Sequence, residues 1–294
     1  MQEVHFYIVD VFAEKKFAGN QLAVIKDGRG LTDKQMQEIA KEINFSETTF
    51  IFGNTENKYD VRIFTPNEEV PFAGHPTLGT AFIIQKELLK QKVEKIILNL
   101  KVGKIPVTIN YDGDNIENLW MKQIQPIFGE TLQSDKIAKI LGLQENDIDN
   151  NFPIQEVSTG LPFVIIPLKT LDAIKKINID KTLYFNFVEN ITAKALFVFC
   201  PQTYSKENNI NARVFVDYYG IPEDPATGSA NGCFAAYLLK NNYYNKQEID
   251  LRVEQGYEIK RPSLIYIKAN QQDDKINIFV GGKAFKIAEG KIFI

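Results

Sequence analysis

Two cysteines and two histidines in 294 residues leave little material for redox or metal chemistry. Cys200 and Cys233 lie far apart, one in a strand-like run and one in a helix-like run, which excludes both a CxxC redox motif and a cysteine zinc site. His5 and His75 stand without HxxH spacing or a carboxylate cluster, so no catalytic metal is expected. No apolar run approaches the roughly 18 residues that span a membrane, and the opening stretch MQEVHFYIVDVF lacks the basic start and apolar core of a signal peptide. A cytoplasmic protein with no membrane partner is the expectation. Positive charge is in short supply too: 34 Lys and Arg against 37 Asp and Glu give a net charge of −3 with no basic block, which argues against nucleic acid as a partner.

What is present is ample apolar material, 44% of the chain, and one stretch around which the rest can be arranged. Residues 221 to 239, IPEDPATGSANGCFAAYLL, set a polar turn bearing glycine against an apolar helical run. Asp224 reads as an N-cap, Pro225 as a first-turn residue, and Gly228 and Gly232 leave the backbone bare. Unpaired N–H groups at such a helix start, with the positive end of the macrodipole, suit a carboxylate or phosphate. The segment taken alone is equally an ordinary capped helix.

The pattern occurs twice. His75-Pro76-Thr77-Leu78-Gly79-Thr80-Ala81 aligns with Asp224-Pro225-Ala226-Thr227-Gly228-Ser229-Ala230, half a chain away. Each copy is preceded by an Arg-x-Phe strand, Arg62 to Phe64 and Arg213 to Phe215, and followed by an apolar helical run. Gly19-Asn20-Gln21-Leu22 and Gly160-Leu161-Pro162-Phe163 form a fainter second echo. Strand, loop and capped helix in duplicate predict two domains, 1–124 joined by a returning strand at 282–294, and 125–281. Two such halves facing one another would bring two helix starts to one cleft, with His75 from one side and Asp224 from the other.

In chain order, residues 5–11 and 21–25 read as paired strands, with His5 a structural residue on the first. Thr32 caps a helix carrying Met36, Ile39, Ala40 and Ile43, which Asn44 ends. Glu47 follows, flanked by Phe45 and Phe50. It either faces solvent at a strand start or sits partly desolvated, where a carboxyl suits general acid/base work near neutral pH. Strands over 96–100, 105–111 and 118–123 form a meander, residues 125–133 read as a crossover, and 134–141 as a helix closed by Gly142. The second half repeats the first: strands at 155–158, 163–167, 195–200 and 212–217, a helix around 170–177, and closing strands over 249–257, 263–269 and 275–280.

Asn44-Phe45-Ser46-Glu47-Thr48, Gly74-His75-Pro76-Thr77 and Glu223-Asp224-Pro225-Ala226-Thr227-Gly228-Ser229-Ala230, with Glu254-Gln255-Gly256 and Arg261-Pro262-Ser263, resemble the PhzF-like phenazine biosynthesis family in order and spacing across the whole chain. The resemblance implies an α+β chain of two pseudo-symmetric diaminopimelate epimerase-like domains, each a mostly antiparallel sheet wrapped around a central helix, and a homodimer. It implies a cofactor-independent isomerase acting on a small carboxylate-bearing substrate. Glu47 matches the family's acid/base, and His75 and Asp224 match groups that hold the substrate or relay protons. Ser46, Gly74, Thr227, Gly228 and Ser229 match its substrate-binding positions, with no metal. The sequence departs from the family at Gln21, where a proline is usual, and at Tyr257-Glu258-Ile259-Lys260, which stands beside whatever substrate moiety that loop meets.

Two rival readings are open. Two-thiol epimerase chemistry on the same fold needs a cysteine at each helix start, where this chain has His75 and Asp224 and places Cys233 inside the helix. A non-catalytic binder of small carboxylates would use the same helix starts, but has no need of Glu47.

Overall fold

Strand β1 (Glu3–Val11) is buried from both sides, with Tyr7, Val9 and Val11 on one face and Val4 on the other, packed with Ile25, Met36 and Phe50. The computed structural model describes residues 2–55, 58–273 and 275–294. The chain divides into two compact units, 1–122 with 281–294, and 123–280.

In the first unit β1 pairs antiparallel with β2 (Asn20–Ile25), and β2 runs parallel to β3 (Glu47–Thr55). Between them lies α1 (Asp33–Ile43), begun by a Thr32–Gln35 capping box and closed by Asn44 at φ 56°. β3 pairs antiparallel with β4 (Lys58–Phe64), which pairs with the short β5 (Glu69–Val70). After α2 (Gly74–Ile83) come β6 (Lys95–Leu100), parallel to β4, then β7 (Gly103–Asp112) and β8 (Asn115–Lys122). Every residue of α2 is buried, and the helix touches β1, β2, β3, β6, β7 and β8, so the sheet wraps around it. Close approach requires Gly79, where a Cβ would stand 2.6 Å from Leu22 and 2.7 Å from Val11.

The second unit repeats this connectivity. β9 (Ile127–Leu132) is followed by α3 (Ser134–Leu141) and pairs antiparallel with β10 (Ile154–Ser158). β10 pairs antiparallel with β11 (Pro162–Pro167), and α4 (Leu171–Lys176) and α5 (Lys181–Val188) lead to β12 (Ala195–Cys200), parallel to β11. β13 (Ile210–Val216) pairs antiparallel with β12 and with β14 (Ile221–Asp224), as β4 does with β3 and β5. Then come the buried α6 (Gly228–Lys240), β15 (Glu248–Gln255) parallel to β13, β16 (Ser263–Gln272) and β17 (Lys275–Gly282). The last strand, β18 (Ala284–Phe293), lies antiparallel to β1, the place β9 takes beside β10. Among the described residues no helix is long and apolar enough to cross a membrane.

The duplicated Arg-x-Phe strands do the same work twice. Arg62 grips Glu69 with two bonds of 2.8 and 2.7 Å and lies 5.1 Å from the Phe64 ring centre. Arg213 grips Glu223 at 3.0 and 2.6 Å and lies 4.9 Å from Phe215. Each forked pair ties a strand to the short return strand that precedes the central helix.

Two expectations need correction, and one helix is additional. Residues 125–133 are no crossover: they hold β9, which the period-two pattern hides because Ile127 is 71% exposed and most of the strand faces solvent. Helix α5 was not anticipated, since its aromatic and β-branched content, KTLYFNFV, reads like strand; Asp180 starts it by accepting from the N–H of Leu183. Asp224 does not cap α6, for a reason that belongs to the site.

Candidate active site

In the first unit the parallel pairing of β2 and β3 sets Glu47, the first residue of β3, opposite Leu22. α1 delivers the chain to that point, with half-buried Ser46 in the link. α2 begins with buried Gly74, and His75 is its second residue, only 5% exposed. His75 Nε2 lies 3.3 Å from Glu47 Oε2. Burial pushes the imidazole down to about 3 from 6.5, only partly opposed by a hydrogen bond to the Gln21 backbone. The contact is therefore between a neutral imidazole and a carboxyl group, not an ion pair. The ring N–H donates to the Gln21 backbone and, among the described residues, Nε2 makes no hydrogen bond of its own, so the lone-pair side of the ring faces Glu47.

A stability effect follows from the buried neutral ring. The unfolded chain binds a proton at His75 below about pH 6.5, while the folded chain does so only near pH 3. Stability from this residue is thus complete above pH 6.5 and falls by about 1.4 kcal/mol per pH unit as pH drops towards 3. Urea unfolding at pH 7 and pH 5 should differ by about 2 kcal/mol on this account, and His75→Gln should remove that share of the pH dependence.

The second unit holds Asp224 at the end of β14, 8% exposed. Helix α6 starts at Gly228 with Thr227 in the N-cap position, not at Pro225 after an Asp224 cap. The side chain of Gln255 explains the shift. Its Nε2 donates to the Asp224 carbonyl at 2.8 Å and to Thr227 Oγ1 at 3.0 Å, while its Oε1 accepts from Thr227 N at 3.2 Å. The Asp224 carbonyl, which would otherwise accept the first intrahelical bond, is taken. Thr227 in turn donates its hydroxyl to Asp224 Oδ2 at 2.5 Å, so both polar groups of Thr227 serve to fix Asp224 and its loop. Asn231 adds bonds to Gln255 Oε1 and to the Thr227 carbonyl. Gly228 and Ser229 open the helix, where the first N–H groups have no intrahelical partner.

Residues 254–256 form the buttress of this loop. Gly256 stands at φ 77°, and a Cβ there would meet Arg261 O at 2.5 Å and Pro225 O at 2.6 Å. Gln255 and Asn231 were not singled out for these contacts: nothing in their spacing shows that an amide on β15 will bond a loop more than twenty positions upstream. Both thiols are buried and held protonated, Cys200 pushed up to about 12 and Cys233 to about 11, chiefly by desolvation. Among the described residues no cluster of His, Cys, Asp and Glu could hold a metal ion.

Two units of like connectivity, each an open sheet around a buried helix, define a diaminopimelate epimerase-like α+β fold. A probable proline racemase from Agrobacterium radiobacter shares that fold at a TM-score of 0.68 with 8% identity, over 99% of this chain and 93% of its own. More specifically, the chain belongs to the phenazine biosynthesis-like protein family, whose pattern it matches over residues 9–290. The crystal structure of a PhzF-family phenazine biosynthesis protein from Bacillus anthracis covers all of both chains at a TM-score of 0.92 and 29% identity. An uncharacterized isomerase from Mesorhizobium japonicum is 32% identical over the full length of both chains. The trans-2,3-dihydro-3-hydroxyanthranilate isomerase of Pseudomonas aeruginosa is 30% identical over 99% of this chain and 100% of its own.

Proposed function

We propose that this protein is a cofactor-independent isomerase that moves a proton between carbons of a small carboxylate-bearing molecule, with Glu47 as its general acid/base. The observation that carries the reading is the 3.3 Å contact between Glu47 and a neutral His75. Fixed by Gln21, the imidazole is an uncharged neighbour with an open acceptor, so the proton that Glu47 takes from one substrate carbon and returns to another is not locked in an ion pair with it. Asp224, immobilised by Thr227 and Gln255, is the polar anchor of the second unit. Ser46, Gly74 and the N–H groups of Gly228 and Ser229 take the carboxylate. Isomerases among the relatives agree with this class of reaction. Two-thiol chemistry is disfavoured because both thiols are buried and protonated.

The test is hydrogen exchange with solvent. Small cyclic and amino-bearing carboxylates are incubated with the protein in D₂O and read by mass spectrometry. A carbon-bound deuterium gained only in the presence of protein is the expected result. Binding without exchange across every ligand that binds would make the protein a carboxylate binder. The proposal includes a cytoplasmic homodimer, which cell fractionation and sedimentation velocity check.

A further inference from the structure

Among the described residues Phe17 is the most exposed large apolar side chain, at 72%, and its backbone sits at φ 67°. A left-handed conformation is uncommon for a residue with a bulky side chain and is unfavourable by about 1 kcal/mol or more. Glycine or asparagine would fit there at less cost. The conformation is nevertheless firmly held, since the Phe17 N–H donates to Oδ2 of buried Asp10 at 2.7 Å. An exposed aromatic ring fixed in an unfavourable backbone state by a buried carboxylate needs a reason outside the fold.

Its place supplies one. The loop over residues 12–19 joins β1 to β2, and β2 runs parallel to β3 with Leu22 opposite Glu47. The loop therefore caps the strand end from which Glu47 emerges. Four positions on, Gln21 bonds His75, so the Phe17 and Gln21 Cα atoms lie within about 14 Å of each other. Exposed Lys15 and Lys16 precede the ring. A patch that packs against another protein is depleted of lysine at its centre, whereas a lone ring next to two cations offers a small anion with an apolar body both opposite charge and an aromatic face.

We infer that Phe17 is a specificity-determining residue whose ring covers the apolar face of the carboxylate substrate bound at Glu47 and His75. The inference rests on the proposed site, but its test needs no turnover. Isothermal titration with 3-hydroxyanthranilate, benzoate and cyclohexanecarboxylate as ring-bearing probes, and with succinate as an acyclic one, compares wild type with Phe17→Ala and Phe17→Tyr. Phe17→Ala should weaken ring-bearing probes at least tenfold and succinate less than twofold, and Phe17→Tyr should restore the ring affinity to within threefold. Equal weakening of all probes, no weakening, or no binding of any ring-bearing probe by wild type overturns the inference. So does a ring-independent loss accompanied by a change of dimer to monomer in sedimentation, which would make Phe17 a contact between copies. Ring discrimination that depends on Phe17 while Glu47→Gln leaves exchange untouched would sink the acid/base role alone.

Discussion

Glu47→Gln should lower turnover by about 10²- to 10⁴-fold, the usual contribution of a positioned general acid/base, while substrate affinity changes only a few-fold. The swap is nearly isosteric and keeps the backbone pairing of residue 47 with Leu22, so the strand start is preserved. An amide can donate to His75 Nε2 across the 3.3 Å gap, which keeps the imidazole in place. What is lost is a proton that can leave and return. The measurement is deuterium incorporation into substrate alongside calorimetric binding to the same variant. His75→Ala differs in kind, because it removes the acceptor and opens a cavity beside α2, so affinity and stability both fall. If Glu47→Gln exchanges deuterium at the wild-type rate, Glu47 is not the proton carrier. If it loses binding as well as turnover, Glu47 is an anchor.

The Glu47–His75 contact was only half legible in the sequence. Local pattern showed a carboxylate at a strand start and a histidine at a helix start, but not that parallel pairing of β2 with β3 would bring them together. Parallel register is set by residues far apart in the chain and leaves little local trace. Glu47 could not be told from a solvated strand residue until the histidine beside it was seen to be buried and neutral. The repeat, by contrast, was readable, because the same Arg-x-Phe strand and glycine-bearing helix start solve the same packing problem twice: Arg62 and Arg213 each fork onto a glutamate of the next strand.

The misplaced cap at Asp224 shows the other limit. Asp-Pro before an apolar run is a sound helix start on local grounds, and the structure overrides it with one glutamine. A side chain from β15 that bonds both a carbonyl and an N–H of the loop outcompetes the first intrahelical bond and delays the helix to Gly228. In doing so it leaves Asp224 at a strand end, held by Thr227, instead of spending its carboxylate on a cap.

Glu254→Gln should therefore reach the site through the fold. Glu254 is fully buried next to Gln255, and its two oxygens accept four bonds: Oε1 from Ser205 N at 2.8 Å and Asn208 Nδ2 at 2.7 Å, Oε2 from Tyr204 N at 2.8 Å and Asn211 Nδ2 at 3.1 Å. All four donors belong to the β12–β13 connection or the start of β13, so one carboxylate fixes that turn to β15. Glutamine has the same shape but replaces one oxygen with a donor, which removes two bonds and sets N–H against N–H in a dry site. A loss of about 3 kcal/mol or more is expected, with charge-assisted bonds at the upper end of the range. For a domain of this size that is a fall in melting temperature of about 6 to 12 °C. Because Gln255 is the next residue, the Asp224 loop should loosen with it, so ligand affinity should fall while Glu47-dependent exchange on saturating substrate persists. Glu258→Gln is the control: that carboxylate accepts one bond, from Tyr204 Oη at 2.8 Å, on a partly exposed turn, and should cost under about 1 kcal/mol. Differential scanning calorimetry separates the two, and a melting temperature for Glu254→Gln within 2 °C of wild type would show that the four bonds do not hold this turn.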